Sequence, residues 1–392
     1  MADIRRSSFV NLPLQGVRPF HVVGLIALAY IALTLARYGG DPMKFVLVGT
    51  RYDPGLQGGT WGYDGQFAYQ IARDPFGASR FLDVPAYRYQ RILYPLISWA
   101  LAAVTSPLVA LRTGGIEGGP SALVPWTLIA VNWLALIAGT RFTEGVLTGC
   151  GANRWYTLSY GLFGGLMMAA RLDLTEPLAY ALAQAAVLSY ERGRARGAAG
   201  WLALAALTKE TTLLVAAGFL LSFALSRRWR DLVEWAVIVG APFAALQVFL
   251  RVWLGAWGVG SGGAMGTPFE WIPYRGLWSL AATNVRAFAL IALIVTPMAL
   301  LPALAALIAA LRDMARRDVH PLVCVLLTNA LIIPFTPQST LREPLGMLRF
   351  IVGLVAAVLV WGAYRKSRRA LNYSLLWIAT LALAVNESQL PA

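Results

Sequence analysis

The stretch AGWLALAALTKETTLLVAAGFLLSFALS, residues 199–226, is apolar from end to end except around Thr208, Lys209 and Glu210 near its middle. A membrane crossing needs about 20 mostly apolar residues, so the length suits one span. The charges do not, because a charged side chain at the bilayer centre costs about 2.5–3.5 kcal/mol on insertion scales. The flanks decide the matter. ERGRAR (191–196) precedes the stretch and RRWR (227–230) follows it. Basic clusters beside apolar runs favour the cytoplasmic side, so both ends lie inside. The stretch is then a hairpin of two short arms, with Lys209 and Glu210 at its tip.

The same reasoning places the other basic clusters. RR at 5–6 with Arg18, RDMARR (312–317), YRKSRR (364–369) and the pair Arg141 and Arg154 all belong inside. Full spans are expected at roughly 20–37, 122–147, 154–170, 176–190, 232–257, 285–311, 320–336, 346–363 and 371–388. The run ILYPLISWALAAVT (92–105) is too short and is expected as a non-spanning helix on the outer side; otherwise CGANR (150–154) would face outward. The predicted fold is an all-α integral membrane protein, a bundle of about eleven transmembrane helices counting both hairpin arms. It forms one polytopic domain over 1–392, with the N-terminus inside and the C-terminus outside. A structured first extracytoplasmic loop with amphipathic helices covers 38–121, and a flap loop covers 258–285.

Composition agrees. Of 392 residues, 58% are hydrophobic and 13% charged, against about 25% charged in ordinary soluble domains. The net charge of +14 sits in short segments between apolar runs, so it reads as topology and not as nucleic-acid binding. Cys150 and Cys324 imply no disulfide framework, and His21 and His320 alone make no metal site. The first apolar run has no small-residue cleavage site behind it and is read as a retained span. No internal repeat or inverted symmetry suggests a transporter built from two halves.

On this topology the polar groups converge on the outer side. WGYDGQFAYQIARDPFGASRFLDVPAYRYQR (61–91) holds Asp64, Asp74 and Asp83 among arginines and tyrosines. Asp64 suits a helix cap before Gly65–Arg73, or a site residue ringed by Tyr63, Gln66 and Tyr69, which can bind polyols. Arg88 and Arg91, interleaved with Tyr87 and Tyr89, form a basic-aromatic surface that also suits interfacial anchoring. RLDLTEP (171–177) sets Asp173 and Glu176 three residues apart. Glu176 suits the first turn of a helix, while acids between short apolar runs usually face a wet cavity. At the hairpin tip, Lys209 and Glu210 could neutralise each other, Lys209 could snorkel, or Lys209 could meet a phosphate or carboxylate partner. Arg342 and Arg349 are seven apart, which would share one face of a helix beginning at Pro344, with Glu343 an internal partner for either. The Gly-rich segment GVGSGGAMGTPFEWIPYRG (258–276) lacks a following GK[ST] and is expected as a mobile flap rather than a Walker loop.

These motifs together resemble the GT-C superfamily of membrane glycosyltransferases. The resemblance rests on YDGQF (63–67), LD.PAYRYQRILYP (82–95), RLDLTEP, LTKET (207–211) and the 342–349 region. The wording is most similar to a bacterial branch forming cell-surface glycopolymers with polyprenyl-phosphate sugar donors. The resemblance implies an inverting transfer of a hexose or pentose from such a donor to a glycan or lipid-linked acceptor, on the extracytoplasmic face of the bacterial plasma membrane. It implies Asp64 as the general base, Lys209 as the ligand of the donor phosphate, and Asp173 and Glu176 as ligands of the sugar or of a divalent metal, Mg or Mn. Tyr63, Gln66, Asp83, Arg88, Arg91, Glu210, Arg342 and Arg349 are expected around the substrates; the role of Asp83 is not set by the resemblance. The large C-terminal lumenal domain common in other branches is not expected here. Two other functions use similar residues: a transporter or flippase of a lipid-linked glycan, and a non-catalytic subunit of an envelope polysaccharide assembly that only binds polyprenyl lipid.

Overall fold

A computed structural model describes residues 16–52, 59–113, 115, 118–342 and 344–385, apart from the side chains of Thr113 and Val385. Among these residues the chain is helical throughout, with one isolated antiparallel bridge between Val48 and Gly62. The helices used below are α1 (Pro19–Arg37), α2 (Gly65–Arg73), α3 (Leu93–Thr113), α4 (Val124–Gly149), α5 (Gly164–Arg171), α6 (Glu176–Glu191), α7 (Ala195–Thr208) and α8 (Leu213–Leu225). They are followed by α9 (Trp229–Leu254), α10 (Arg275–Thr283), α11 (Val285–Ala315, with a π-helical turn at Thr296–Leu300), α12 (Pro321–Leu331), α13 (Pro344–Phe350) and α14 (Val352–Tyr364).

Five of the described helices are long and apolar enough to cross a membrane, α1, α3, α4, α9 and α11, and a sixth span arises if α13 and α14, bent by 45°, are one unit. The distribution of apolar residues suits lipid. Leu25, Leu33, Val237, Phe249, Leu290 and Leu304 point outward from these helices, whereas α14 is buried along nearly its whole length. A soluble fold rarely exposes so much apolar surface on its long helices.

The polarity of the bundle follows from contacts at its two ends. Arg18, at the start of α1, pairs with Glu144 near the end of α4 at 3.3 Å. A Cβ at Gly145 would meet Leu188 Cδ1 at 2.9 Å, so α6 ends at that level. Arg228 at the foot of α8 donates to Tyr190 Oη at 3.1 Å, and His320 lies 3.9 Å from Glu191. Arg365 closes on Asp313 and Asp318 at 3.2 and 3.1 Å. The arginine clusters of the described residues therefore share one end, as the hydropathy argument requires. The hairpin forms with α7 and α8 as arms, and its tip lies against the start of α6, at the opposite end.

Three expected elements differ. The helix at 92–105 extends to Thr113 and is long enough to span. On α4, however, it bonds at the far end: Tyr94 Oη donates to Leu128 O at 3.1 Å, and Thr127 Oγ1 to Ser98 O at 2.9 Å. From Tyr94 onward α3 therefore runs away from the arginine-rich end. The expected span 154–170 is broken into short turns before α5. Gly164 and Gly165 abut foreign backbone, since a Cβ on Gly164 would meet Thr380 O at 2.4 Å and one on Gly165 would meet Leu348 O at 2.5 Å. The expected span 371–388 is broken into the end of a short helix, Arg368–Ser374, a 3₁₀ segment over Leu375–Leu381 and a helical turn over Ala382–Val385, and its last residues lie outside those described. Tertiary bonds hold it there: Trp377 Nε1 donates to Met298 O at 2.8 Å, and Tyr30 Oη to Ala384 O at 2.7 Å. Short and broken helices at 154–170, 176–190, 320–336 and 371–388 leave fewer single-helix crossings than the eleven expected.

Candidate functional site

The site sits at the end of the bundle away from the arginine clusters. Asp64 immediately precedes α2, and a close backbone approach sets its place. A Cβ on Gly65 would stand 2.0 Å from Leu172 O and 3.4 Å from the Asp173 Cβ. Only glycine lets the loop before α2 lie this tightly on the turn between α5 and α6. Asp64 occupies the cap position yet makes no side-chain cap bond, which removes the capping role. Its carboxylate turns instead to Arg88 Nη1 at 3.1 Å and Arg349 Nη2 at 3.3 Å.

A chain of ion pairs runs from there in both directions. Arg88, on the short helix Pro85–Tyr89, lies over the Phe67 ring at 4.1 Å and donates to both oxygens of Asp83 at 2.7 and 2.8 Å. Arg349 on α13 donates Nε to Glu176 Oε1 at 2.8 Å and Nη1 to Tyr63 Oη at 3.0 Å. Lys209 Nζ donates to the same Glu176 oxygen at 2.9 Å. Arg91 binds Glu210 through Nε at 2.8 Å and stands over the Tyr87 ring at 4.4 Å. Lys209 and Glu210 thus do not neutralise each other; each has a partner from another element. Arg88, Arg349 and Lys209 link Asp64, Asp83 and Glu176 into one network, and Arg91–Glu210 is a separate pair beside it.

Asp173 is the fifth acid and stands apart. It is fully buried in a left-handed conformation with φ of 49°, uncommon for a residue with a Cβ. Neither carboxyl oxygen has a hydrogen-bond partner. Burial holds this carboxyl well above the ordinary range, only partly offset by Arg171. Asp64 goes the other way. Burial opposes its charge, but Arg88 and then Arg349 outweigh it and hold its carboxyl below the ordinary range. A cavity of about 30 Å³ lies between the two acids, lined also by Phe67, Arg88, Arg91 and Arg349.

Other expected residues have different places. Gln66 is buried, with Nε2 on Trp61 O at 2.7 Å and Oε1 receiving Gly49 N at 2.9 Å, so both ends of its amide hold the loop. Arg342 precedes α13 and does not share a helix face with Arg349. It reaches Met265 O in the flap at 3.4 Å. Glu343 lies outside the described residues. The flap is pinned near the site: Ala264 N donates to Asp83 Oδ2 at 3.0 Å, and a Cβ on Gly263 would meet Arg88 Nη2 at 2.9 Å. Sequence reasoning gave Phe67 and Gly65 a place in the helix after Asp64 but none at the site; the adjacent Asp-Gly pair before an amphipathic helix was the available signal for the second.

The acids suit a divalent metal poorly. Lys209 and Arg349 already approach Glu176 Oε1, and no group of three or more His, Cys, Asp or Glu residues among those described could hold an ion. Comparison of the chain with protein-family models, curated proteins and solved structures finds no match in any of the three.

Proposed function

We propose that the chain is a membrane glycosyltransferase that moves a monosaccharide from a polyprenyl-phosphate donor to a glycan or lipid-linked acceptor. The observation that carries this reading is one network in which Asp64, Glu176, Lys209, Arg88 and Arg349 meet at the end of an apolar bundle. Basic clusters favour the cytoplasm, so this end faces outward, where lipid-linked sugars can reach it without a nucleotide.

The reaction is a displacement at the anomeric carbon. The acceptor hydroxyl oxygen forms the new bond to that carbon, and its proton passes to a carboxylate oxygen of Asp64. The bond from the anomeric carbon to the phosphate oxygen breaks, and its electron pair leaves on polyprenyl phosphate. Arg88 and Arg349 keep Asp64 ionised but weaken it as a base, so it takes the proton best once the donor phosphate has drawn Arg349 away. Lys209 and Arg349 are suited to the departing phosphate, whose negative charge grows in the transition state. A phosphate would take these cations from Glu176, so donor binding and rearrangement of the ion pairs go together.

The cavity of about 30 Å³ admits water but not a sugar. A sugar enters once the flap at 258–274 moves off Arg88 and Asp83. Exposed Trp99, Val104 and Leu108 on α3, which packs beside α2, offer an apolar ridge for the prenyl chain. The test is incubation of the purified protein with radiolabelled polyprenyl-phosphate sugars and candidate acceptors. Transfer from at least one donor is expected, and donor binding without turnover across the panel would leave only a lipid-binding role.

A further inference from the structure

A second polar crevice opens at the other end of the bundle, where α1 begins and α4 and α6 finish. It holds about 200 Å³ and is lined by Arg18, Phe20, Arg141, Glu144, Leu188 and Arg192, among others. Glu144 has a side chain only 4% exposed, and its Oε1 faces Arg18 at 3.3 Å and Arg154 at 3.9 Å. Its Oε2 is buried without a hydrogen-bond partner. Arg141 is exposed on α4, eight residues before the helix ends, with its guanidinium 5.2 Å from the centre of the Phe20 ring. Eight residues correspond to about 12 Å of helix, so Arg141 lies that far in from the end of α4. Three guanidinium groups against one carboxylate leave the lining positive. The proposed transfer reaction uses none of these residues.

We propose that this crevice binds a phosphodiester carrying a hydroxyl group, supplied by the headgroup of an anionic glycerophospholipid in the adjacent leaflet. Guanidinium groups bind phosphate oxygens through paired, charge-assisted hydrogen bonds. Glu144 is already engaged with Arg18 and Arg154, so Arg141 and Arg192 keep their charge available. Basic pockets between helices at the cytoplasmic boundary are suited to anionic headgroups. The orphan Glu144 Oε2 calls for a donor. A hydroxyl satisfies it, whereas an ammonium would sit among three like charges. Phe20 and Leu188 at the same crevice meet the apolar part of the lipid.

The full-length protein, delipidated in detergent, is to be titrated with phosphatidylglycerol, phosphatidylethanolamine and phosphatidylcholine, and bound lipid counted by native mass spectrometry. The expected result is phosphatidylglycerol binding at least tenfold tighter than phosphatidylcholine, lost in the Arg141→Gln, Arg192→Gln double variant. Equal affinity for the two lipids, or a preference intact in the double variant, overturns the proposal; phosphatidylethanolamine binding best overturns the hydroxyl assignment. Should the double variant fail to fold, Arg141→Gln alone, at an exposed position, must weaken the preference. Glycerophosphoglycerol separates the sources. Failure to displace the lipid assigns the site to the membrane, and displacement keeps the phosphodiester chemistry but makes its source soluble.

Discussion

Arg349 and Glu176 stand 173 positions apart in the chain, and their side chains meet at 2.8 Å, with Lys209 on the same carboxylate oxygen at 2.9 Å. The glutamate is fully buried. An isolated charge there would be very costly, so the two cations and the acid form one unit. Through Arg349 that unit extends to Asp64 and Tyr63. This linkage joins the loop after α1 to the last third of the chain.

Asp64→Asn keeps the shape of the side chain and removes its basicity. Sugar transfer is expected to fall by about 10²–10⁴-fold, the usual contribution of a general base. Measurement needs a defined donor and acceptor, with circular dichroism to show that the fold persists. Activity unchanged in this variant would remove Asp64 as the base.

Arg349→Met and Lys209→Met separate two roles. Arg349 serves Glu176, Asp64 and Tyr63, whereas Lys209 serves Glu176. Loss of Arg349 is expected to cost on the order of 3 kcal/mol, as for breaking a buried pair, and the loss of Lys209 less. Thermal unfolding in detergent ranks them. Lys209→Met is also expected to weaken polyprenyl-phosphate binding, and unaltered donor affinity would count against its phosphate role.

Gly65→Ala tests the approach that places Asp64. The new methyl would fall 2.0 Å from Leu172 O, a clash with backbone that no rotamer relieves. The expected outcome is a lower melting temperature together with loss of transfer. An alanine variant with wild-type stability and activity would show that the contact is dispensable.

Asp173→Asn gives a pH signature. Burial raises the Asp173 carboxyl in the folded chain, while the unfolded chain releases that proton near pH 3.9. Above that pH the folded state binds more protons than the unfolded one, so the wild type loses stability as pH rises toward the folded value. Asparagine mimics the protonated form and escapes this loss. The melting temperature of Asp173→Asn relative to wild type should therefore be higher at pH 7.5 than at pH 4.5. A difference that does not vary with pH would mean that Asp173 is not held protonated.

Much of the architecture was legible in local patterns. The hairpin around Lys209, the arginine-rich end, α1, α4, α9 and α11 follow from the length of each apolar run and the charges beside it. These are properties of a few consecutive residues, and lipid or protein surroundings act on each run almost independently. The convergence of acids and cations at the other end followed from the same reasoning.

What only the tertiary structure decided was partnership and interruption. Asp64 reads equally well as a cap until Arg88 and Arg349 are seen beside it. The chain breaks before α5 where Gly164 and Gly165 touch the carbonyls of Thr380 and Leu348, contacts that hydropathy does not encode. α3 is long enough to cross a bilayer, yet its bonds to Leu128 and Thr127 direct it along the far end of α4. Hydropathy is summed along the chain, whereas ion pairing and close backbone contact depend on residues tens to hundreds of positions apart, and packing alone brings those together.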